Sequence, residues 1–255
     1  MITSPTNPKI RYVRRLQDER RFREQERAFV VEGTRWLMEL PAVHRRPLLV
    51  LYTESWAQSP AAVQTLATIA GPSLLVSEAA MRAASDTQTP AGVLAVVAIE
   101  TIPLPPQPTL VLILDQIANP GNLGAILRTA AAAGVDGVLL APGCVDAYNP
   151  KVVRGGMGAH LRLPIQAADW PVIGEMTAQM DRWLATVGGQ LPYTSVDWRR
   201  PAALIIGSEA EGAGDQAQRL ATGRLFIPMR AATESLNAAV AAGVILFEAV
   251  RQRET

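Results

Sequence analysis

The sequence predicts an α/β protein in two units, the second built on a parallel sheet. Three observations carry that expectation. Apolar β-like runs alternate with helix-like segments along the chain. The run Leu110-Val111-Leu112-Ile113-Leu114 has the unbroken apolar character of a strand buried on both faces. Four prolines among the nine residues from Glu100 to Pro108 bar helix and sheet pairing and favour stiff, extended chain, which marks a boundary. The predicted division is therefore 1–99, a linker at 100–108, and 109–255. A length of 255 residues allows two domains, and 49% hydrophobic with 18% charged residues excludes a mainly disordered chain.

The first predicted element is a basic amphipathic helix, with Leu16 and Phe22 turned inward. A strand at Phe29-Val30-Val31 follows, then a helix over 34–40, a strand over 48–52 and a helix over 61–70. Strands at 74–76 and 92–98 complete the first unit. In the second, further strands are expected over 137–140, 163–166, 203–206 and 224–227, with helices between them and a last helix over 236–251. No internal repeat or low-complexity tract interrupts this order.

Several function classes fall away on composition. The longest apolar stretches are well short of the ~20 residues that span a bilayer, so no membrane helix is expected. The start, Met1-Ile2-Thr3-Ser4-Pro5, has no apolar run behind a basic segment, and the expectation is a cytoplasmic protein without a secretory signal. One cysteine, Cys144, excludes an intrachain disulfide, and with only His44 and His160 besides, no metal site is expected. His160 has no carboxylate partner in sequence and reads as structural. Gly207 to Gly212 has the first spacing of a phosphate-binding P-loop, but Ala213 stands where its lysine belongs; no G-x-G-x-x-G or G-x-S-x-G occurs either.

Charge is informative only when divided. The first 46 residues hold 11 Lys and Arg against 6 Asp and Glu, whereas the rest of the chain carries an acidic excess. Arg14, Arg15, Arg20 and Arg21, within a run that also holds Lys9, Arg11, Arg23 and Arg27, suit a phosphate backbone. The competing reading is a solvated helix whose arginines pair with Asp18, Glu19, Glu24 and Glu26 three or four residues away.

Ligands of open parallel sheets bind beyond the carboxyl ends of strands, and three such ends run into loops rich in Gly, Asn, Ser and Glu. They are Asp115-Gln116-Ile117-Ala118-Asn119-Pro120-Gly121-Asn122-Leu123-Gly124, followed by Arg128 and Thr129; Gly207-Ser208-Glu209-Ala210-Glu211-Gly212; and Ile227-Pro228-Met229 through Glu234-Ser235-Leu236-Asn237. Taken singly, each is compatible with ordinary turn chemistry. Together and in this order they resemble the three motifs of the SpoU, or TrmH-like, RNA ribose methyltransferases, over roughly 110–251 and including Asn149-Pro150-Lys151-Val152-Val153-Arg154. The first unit is similar to the small RNA-binding domain of ribosomal-protein L30e type that precedes the catalytic domain in many members.

That resemblance implies a SPOUT-type catalytic domain with a deep trefoil knot, a homodimer, and transfer of the methyl group of S-adenosylmethionine to a ribose 2′-hydroxyl of ribosomal or transfer RNA. By motif position, Gly207, Ile227 and Leu236 would hold the cofactor through backbone groups, while Asn122, Arg128, Glu209, Ser235 and Asn237 would place the substrate and assist catalysis. Glycine at 207 suits close backbone approach. Arg128 suits a phosphate contact or developing negative charge better than a base, because guanidinium resists deprotonation. The sequence departs from the family pattern at Asn119, where aspartate is frequent, and at Gly156 and Ala239, where serine is common. The alternative reading is an RNA-binding protein that keeps the fold without the reaction.

Overall fold

The computed structural model describes residues 1–208, 212–230 and 235–254. The chain opens with α1 (Pro8–Asp18), started by Asn7, whose side chain accepts from the Lys9 N–H, with proline at the first helical position. The single basic helix expected here is two: Glu19 is extended and ends α1, and α2 (Arg20–Glu26) follows at once. Leu16 and Phe22 are buried as expected. Next come β1 (Ala28–Glu32), α3 (Thr34–Ala42), β2 (Leu49–Tyr52), α4 (Glu54–Ala57), α5 (Pro60–Thr68), β3 (Ser73–Leu75), α6 (Glu78–Ala84) and β4 (Val93–Ala98). α4 and α6 went unpredicted, although Thr53 and Ser77 cap them through their side chains. After the proline-rich segment lie β5 (Leu110–Leu114), α7 (Pro120–Ala132), β6 (Gly137–Leu140), α8 (Pro150–Gly156), β7 (Ile165–Ala167), α9 (Trp170–Met176), β8 (Asp181–Ala185), β9 (Leu191–Pro192), β10 (Ala202–Ile206), α10 (Asp215–Leu220), β11 (Gly223–Phe226) and α11 (Ala238–Arg253).

Contacts divide the chain into two units. Residues 1–100 together with 148–161, hence α8, form one; residues 101–147 and 162–255 form the other. In the first, the sheet order is β1-β4-β2-β3, with β4 antiparallel to both neighbours and β2 parallel to β3. One face packs on α1 and α6 through Ile10, Val13, Leu16 and Met81; the other packs on Trp36, Leu37, Leu40 and the α8 residue Val153. The charged face of α1 and α2 is largely spoken for. Arg14 pairs with Asp18, Arg15 with Glu19 and Arg20 with Glu24, each four residues on, and Arg15 also lies 3.8 Å over the Phe22 ring. Arg23, counted above in the run suited to phosphate, is buried and donates to the carbonyls of Leu16 and Gln17, so it closes the end of α1. Arg14 and Gln17 likewise donate to Ser85 and Ala84 at the end of α6.

His160 is buried, and its ring lies near those of Phe29, Trp36 and Tyr148. It also accounts for Gly156, because a Cβ there would come within 2.8 Å of the His160 ring.

The second unit is a seven-stranded sheet, parallel throughout, in the order β7-β6-β5-β10-β8-β11-β9. β5 and β10 pair from Leu110 with Ala202 to Leu114 with Ile206, and every residue of both is buried. The predicted strand at 137–140 stands with its bounds unchanged, those at 203–206 and 224–227 stand with bounds moved by a residue, and the one at 163–166 begins two residues later. β8 was missed. Asp181-Arg182-Trp183-Leu184-Ala185 shows no alternation and an apolar run of only three residues behind two charges, and only Leu184 is buried, yet the strand lies between β10 and β11. Its Trp183 ring occupies the space a Cβ at Gly223 would need, which explains glycine at the start of β11. From β5 the chain steps to β6 and β7 on one side, and the remaining strands fill the other. The order therefore reverses between β5 and β10, where doubly wound sheets open a crevice.

Candidate functional site

The site begins where β5 and β10 end side by side. After β5, Asn119 caps α7: its side-chain oxygen accepts from the N–H groups of Gly121 and Asn122. Asparagine thus does what an aspartate at 119 would do there, and the departure from the family pattern costs no cap. Asn237 plays the same part for α11, its Oδ1 accepting from Ala239 and Val240. With that oxygen committed, the Asn237 amide nitrogen is left to donate, and it reaches Asn122 Oδ1 at 3.0 Å. The bond in turn orients Asn122, whose own NH2 carries two further donors. α7 and α11 pack along each other, and Gly243 lies against Thr129. The first and third loops therefore meet through a pair of caps.

A cavity of about 270 Å³ lies at the ends of β8, β10 and β11, near the lower bound of the roughly 300–1,000 Å³ usual for small-molecule sites. Gly207, Ile227, Ser235 and Leu236, all expected from the sequence, line it. So do Ala185, Thr186 and Val187 after β8, Ser208, Gly212 and Ala213 after β10, and Met229, Ala238 and Ala241. The β8 loop was missed because the strand that carries it was missed; Val187-Gly188-Gly189 was its one visible turn signal. The walls are mostly small and aliphatic side chains and backbone, with the hydroxyls of Thr186, Ser208 and Ser235 among them, a lining that suits a flat ring read by main-chain groups. Gly207 has a role beyond closeness to a ligand. A Cβ there would fall 2.6 Å from the backbone of Gly212 and Ala213, where the loop folds back and the Gly212 N–H donates to the Ser208 carbonyl.

Arg128 stands six residues beyond Asn122, about 9 Å farther along α7 and about a third of a turn round it. It is exposed, it is not among the cavity-lining residues, and among the described residues it makes no ion pair. Glu209, together with Glu211 and Glu234, lies outside the described residues. The other titratable groups here argue against nucleophilic chemistry. Burial pushes the Cys144 thiol up to about 11, and its Sγ donates to the Leu114 carbonyl. Among the described residues no cluster of His, Cys, Asp and Glu is arranged to hold a metal ion, and no helix is long and apolar enough to cross a membrane.

Comparison with known proteins agrees with this geometry. The family model described as the SpoU rRNA methylase family matches residues 109–247, and that of the MRM3-like substrate binding domain matches residues 7–95. An uncharacterized tRNA/rRNA methyltransferase of Synechocystis is 36% identical over 99% of this chain and 94% of its own length. The 23S rRNA (guanosine(2553)-2′-O)-methyltransferase RlmP of Bacillus subtilis is 29% identical over 96% of this chain and 97% of its own. Among solved structures, the SpoU methyltransferase AviRb of Streptomyces viridochromogenes, in complex with S-adenosylmethionine, superposes with a TM-score of 0.90 at 27% identity, covering 98% of this chain and 99% of the other. With three ordered loops, a parallel sheet that reverses between β5 and β10, and matches running nearly end to end, this chain belongs to the SpoU rRNA methylase family.

Proposed function

We propose that the protein transfers the methyl group of S-adenosylmethionine to a ribose 2′-hydroxyl of ribosomal RNA. One observation carries the reading: Gly207, Ile227, Ser235 and Leu236, from three separate strand ends, line one cavity, beside which Asn122 and Asn237 are bonded to each other. The cavity fits the cofactor in kind, since aliphatic walls and backbone N–H and C=O groups suit an adenine ring and need no particular side chain. When bound, the cofactor supplies an electrophilic methyl group. What the chain adds is alignment and charge. The Asn122 amide donors are assigned to ribose or phosphate oxygens, and Ser235 offers a hydroxyl at the cavity wall. Arg128, always charged and exposed, is assigned to an RNA phosphate, where it stabilises negative charge developing on the 2′-oxygen. Glu209 is assigned a supporting role by its motif position.

The reading extends to the whole molecule. Residues 1–99 gather the RNA, with Arg14, Arg15, Arg20 and Arg21 on its face; 100–108 is the linker; 109–255 carries the reaction. The match of 7–95 to a substrate binding domain supports this division. The pairing of Arg14, Arg15 and Arg20 with acids weakens the case for them individually, and Arg14 has the further task of closing α6. A homodimer is supported by α11, where Val240 and Phe247 are about half exposed at a seven-residue spacing. Family membership supports a trefoil knot closed by the C-terminal segment, and a cytoplasmic location is part of the same proposal. Calorimetric titration with S-adenosylmethionine tests the reading: one site per chain is expected, and no heat of binding to the folded protein refutes it.

A further inference from the structure

Asp115 ends the central strand β5 and is only 1% exposed, with a carboxylate that no step above uses. Its backbone N–H donates to the Ile206 carbonyl at 2.9 Å, continuing the β5–β10 ladder by one rung. Its side chain turns the other way: Oδ2 accepts from the Gly214 N–H at 2.7 Å, a bond across 99 positions of sequence. Gly214 is the residue at which the loop after β10 enters α10, and no side chain caps that helix. The loop so tied, which begins at Gly207 and ends at Gly214, supplies Gly207, Ser208, Gly212 and Ala213 to the cavity wall. Gln116, next in the chain, is held with φ +56°, a conformation unusual for a residue with a Cβ, and its amide group fills the space beside Gly214.

We propose that Asp115 is a positioning residue, a latch that holds residues 212–214, the end of the loop after β10, so that Gly212 and Ala213 form the cavity wall that receives the cofactor. This rests on the reading of the cavity as the S-adenosylmethionine site. The latch has the form expected of such a device. One end is anchored in the most deeply buried strand pair of the sheet, the other on the backbone of the wall it sets, and the bond between them is charge-assisted and therefore short and directional. Alternatives fit less well. A carboxylate kept only for stability belongs where it is solvated or ion-paired; here burial raises the Asp115 pKa above the ordinary value, against the effect of the bonds from Gly214 and Gln116. A raised folded-state pKa means that the stability linked to this group is present at low pH and lost as pH rises through that pKa, so at neutral pH the buried charge works against folding. A group that costs stability and shapes a binding wall is the signature of a functional constraint.

The test titrates S-adenosylmethionine into the full chain. Asp115→Ala removes the acceptor, whereas Asp115→Asn removes the charge but keeps an oxygen able to accept from the Gly214 N–H. Asp115→Ala is expected to weaken cofactor binding about tenfold, the usual order for losing a hydrogen bond to a charged group, and Asp115→Asn to recover most of that loss; circular dichroism checks that both forms are folded. Parent-like affinity in the Ala form, or equal losses in the Ala and Asn forms, overturns the latch while the cofactor site stands. Failure of the parent chain to bind overturns the functional reading and the latch with it.

Discussion

A guanidinium holds its proton throughout the physiological range, so whatever Arg128 does it does as a fixed positive charge. Its exposure and its absence from the cavity wall fit the proposed contact with RNA rather than with cofactor. Arg128→Ala is therefore expected to bind S-adenosylmethionine like the parent while single-turnover methyl transfer falls about 10²–10³-fold, the usual effect of removing one preorganised charge-stabilising donor. Lysine at 128 should restore part of the rate, because it returns the charge without the planar fork. An Ala form that transfers at the parent rate removes Arg128 from the reaction. Cys144 gives a second residue-level expectation. A thiol raised from 9.0 to about 11 by burial holds roughly a hundredfold less thiolate near pH 8 than a free one. The folded protein should resist alkylation by iodoacetamide at that pH and react readily once unfolded; rapid modification of the native chain would contradict the burial.

At the scale of elements, Gly207 shows how a loop's shape precedes its chemistry. The collision of a Cβ at 207 is with the backbone of Gly212 and Ala213 rather than with a flexible side chain, so the loop itself must move. Gly207→Ala is expected to lower cofactor affinity by ~1–3 kcal/mol with little change in the thermal midpoint, measured by calorimetry and by circular dichroism. Unchanged affinity would show that the fold-back of the loop does not shape the site. The strands most legible in the sequence were those whose burial is complete, such as β5 and β10, because a continuous apolar run leaves few other readings. β8 was illegible for the opposite reason: an interior strand in which only Leu184 is fully buried carries no long apolar run to mark it. The basic helix was half legible. Its inward residues followed from periodicity, but its break at Glu19 did not, nor did the burial of Arg23 on the carbonyls of Leu16 and Gln17. Residue types in the site were readable from the motifs, whereas the bond between Asn122 and Asn237, across 115 positions, and the latch on Asp115 depend on strand order, which no local pattern contains.

At the scale of the whole molecule, the proposed dimer assigns the exposed stripe on α11 to a second copy. Val240 and Phe247 are 50% and 51% exposed, and half-buried Val244 lies between them on the same side of the helix. Replacing Val240 and Phe247 by glutamate should convert a dimer into a folded monomer in light scattering at micromolar concentration; a parent chain that is already monomeric there removes the dimer from the account. The central claim, that these loops place a ribose 2′-oxygen behind a donated methyl group, is tested most directly by supplying methyl-labelled S-adenosylmethionine and ribosomal RNA lacking the modification, then mapping the label. The account predicts label at a 2′-O-methylated nucleotide, dependent on Asn122 and Arg128. Label on a base, or none with cofactor and RNA both bound, would contradict it.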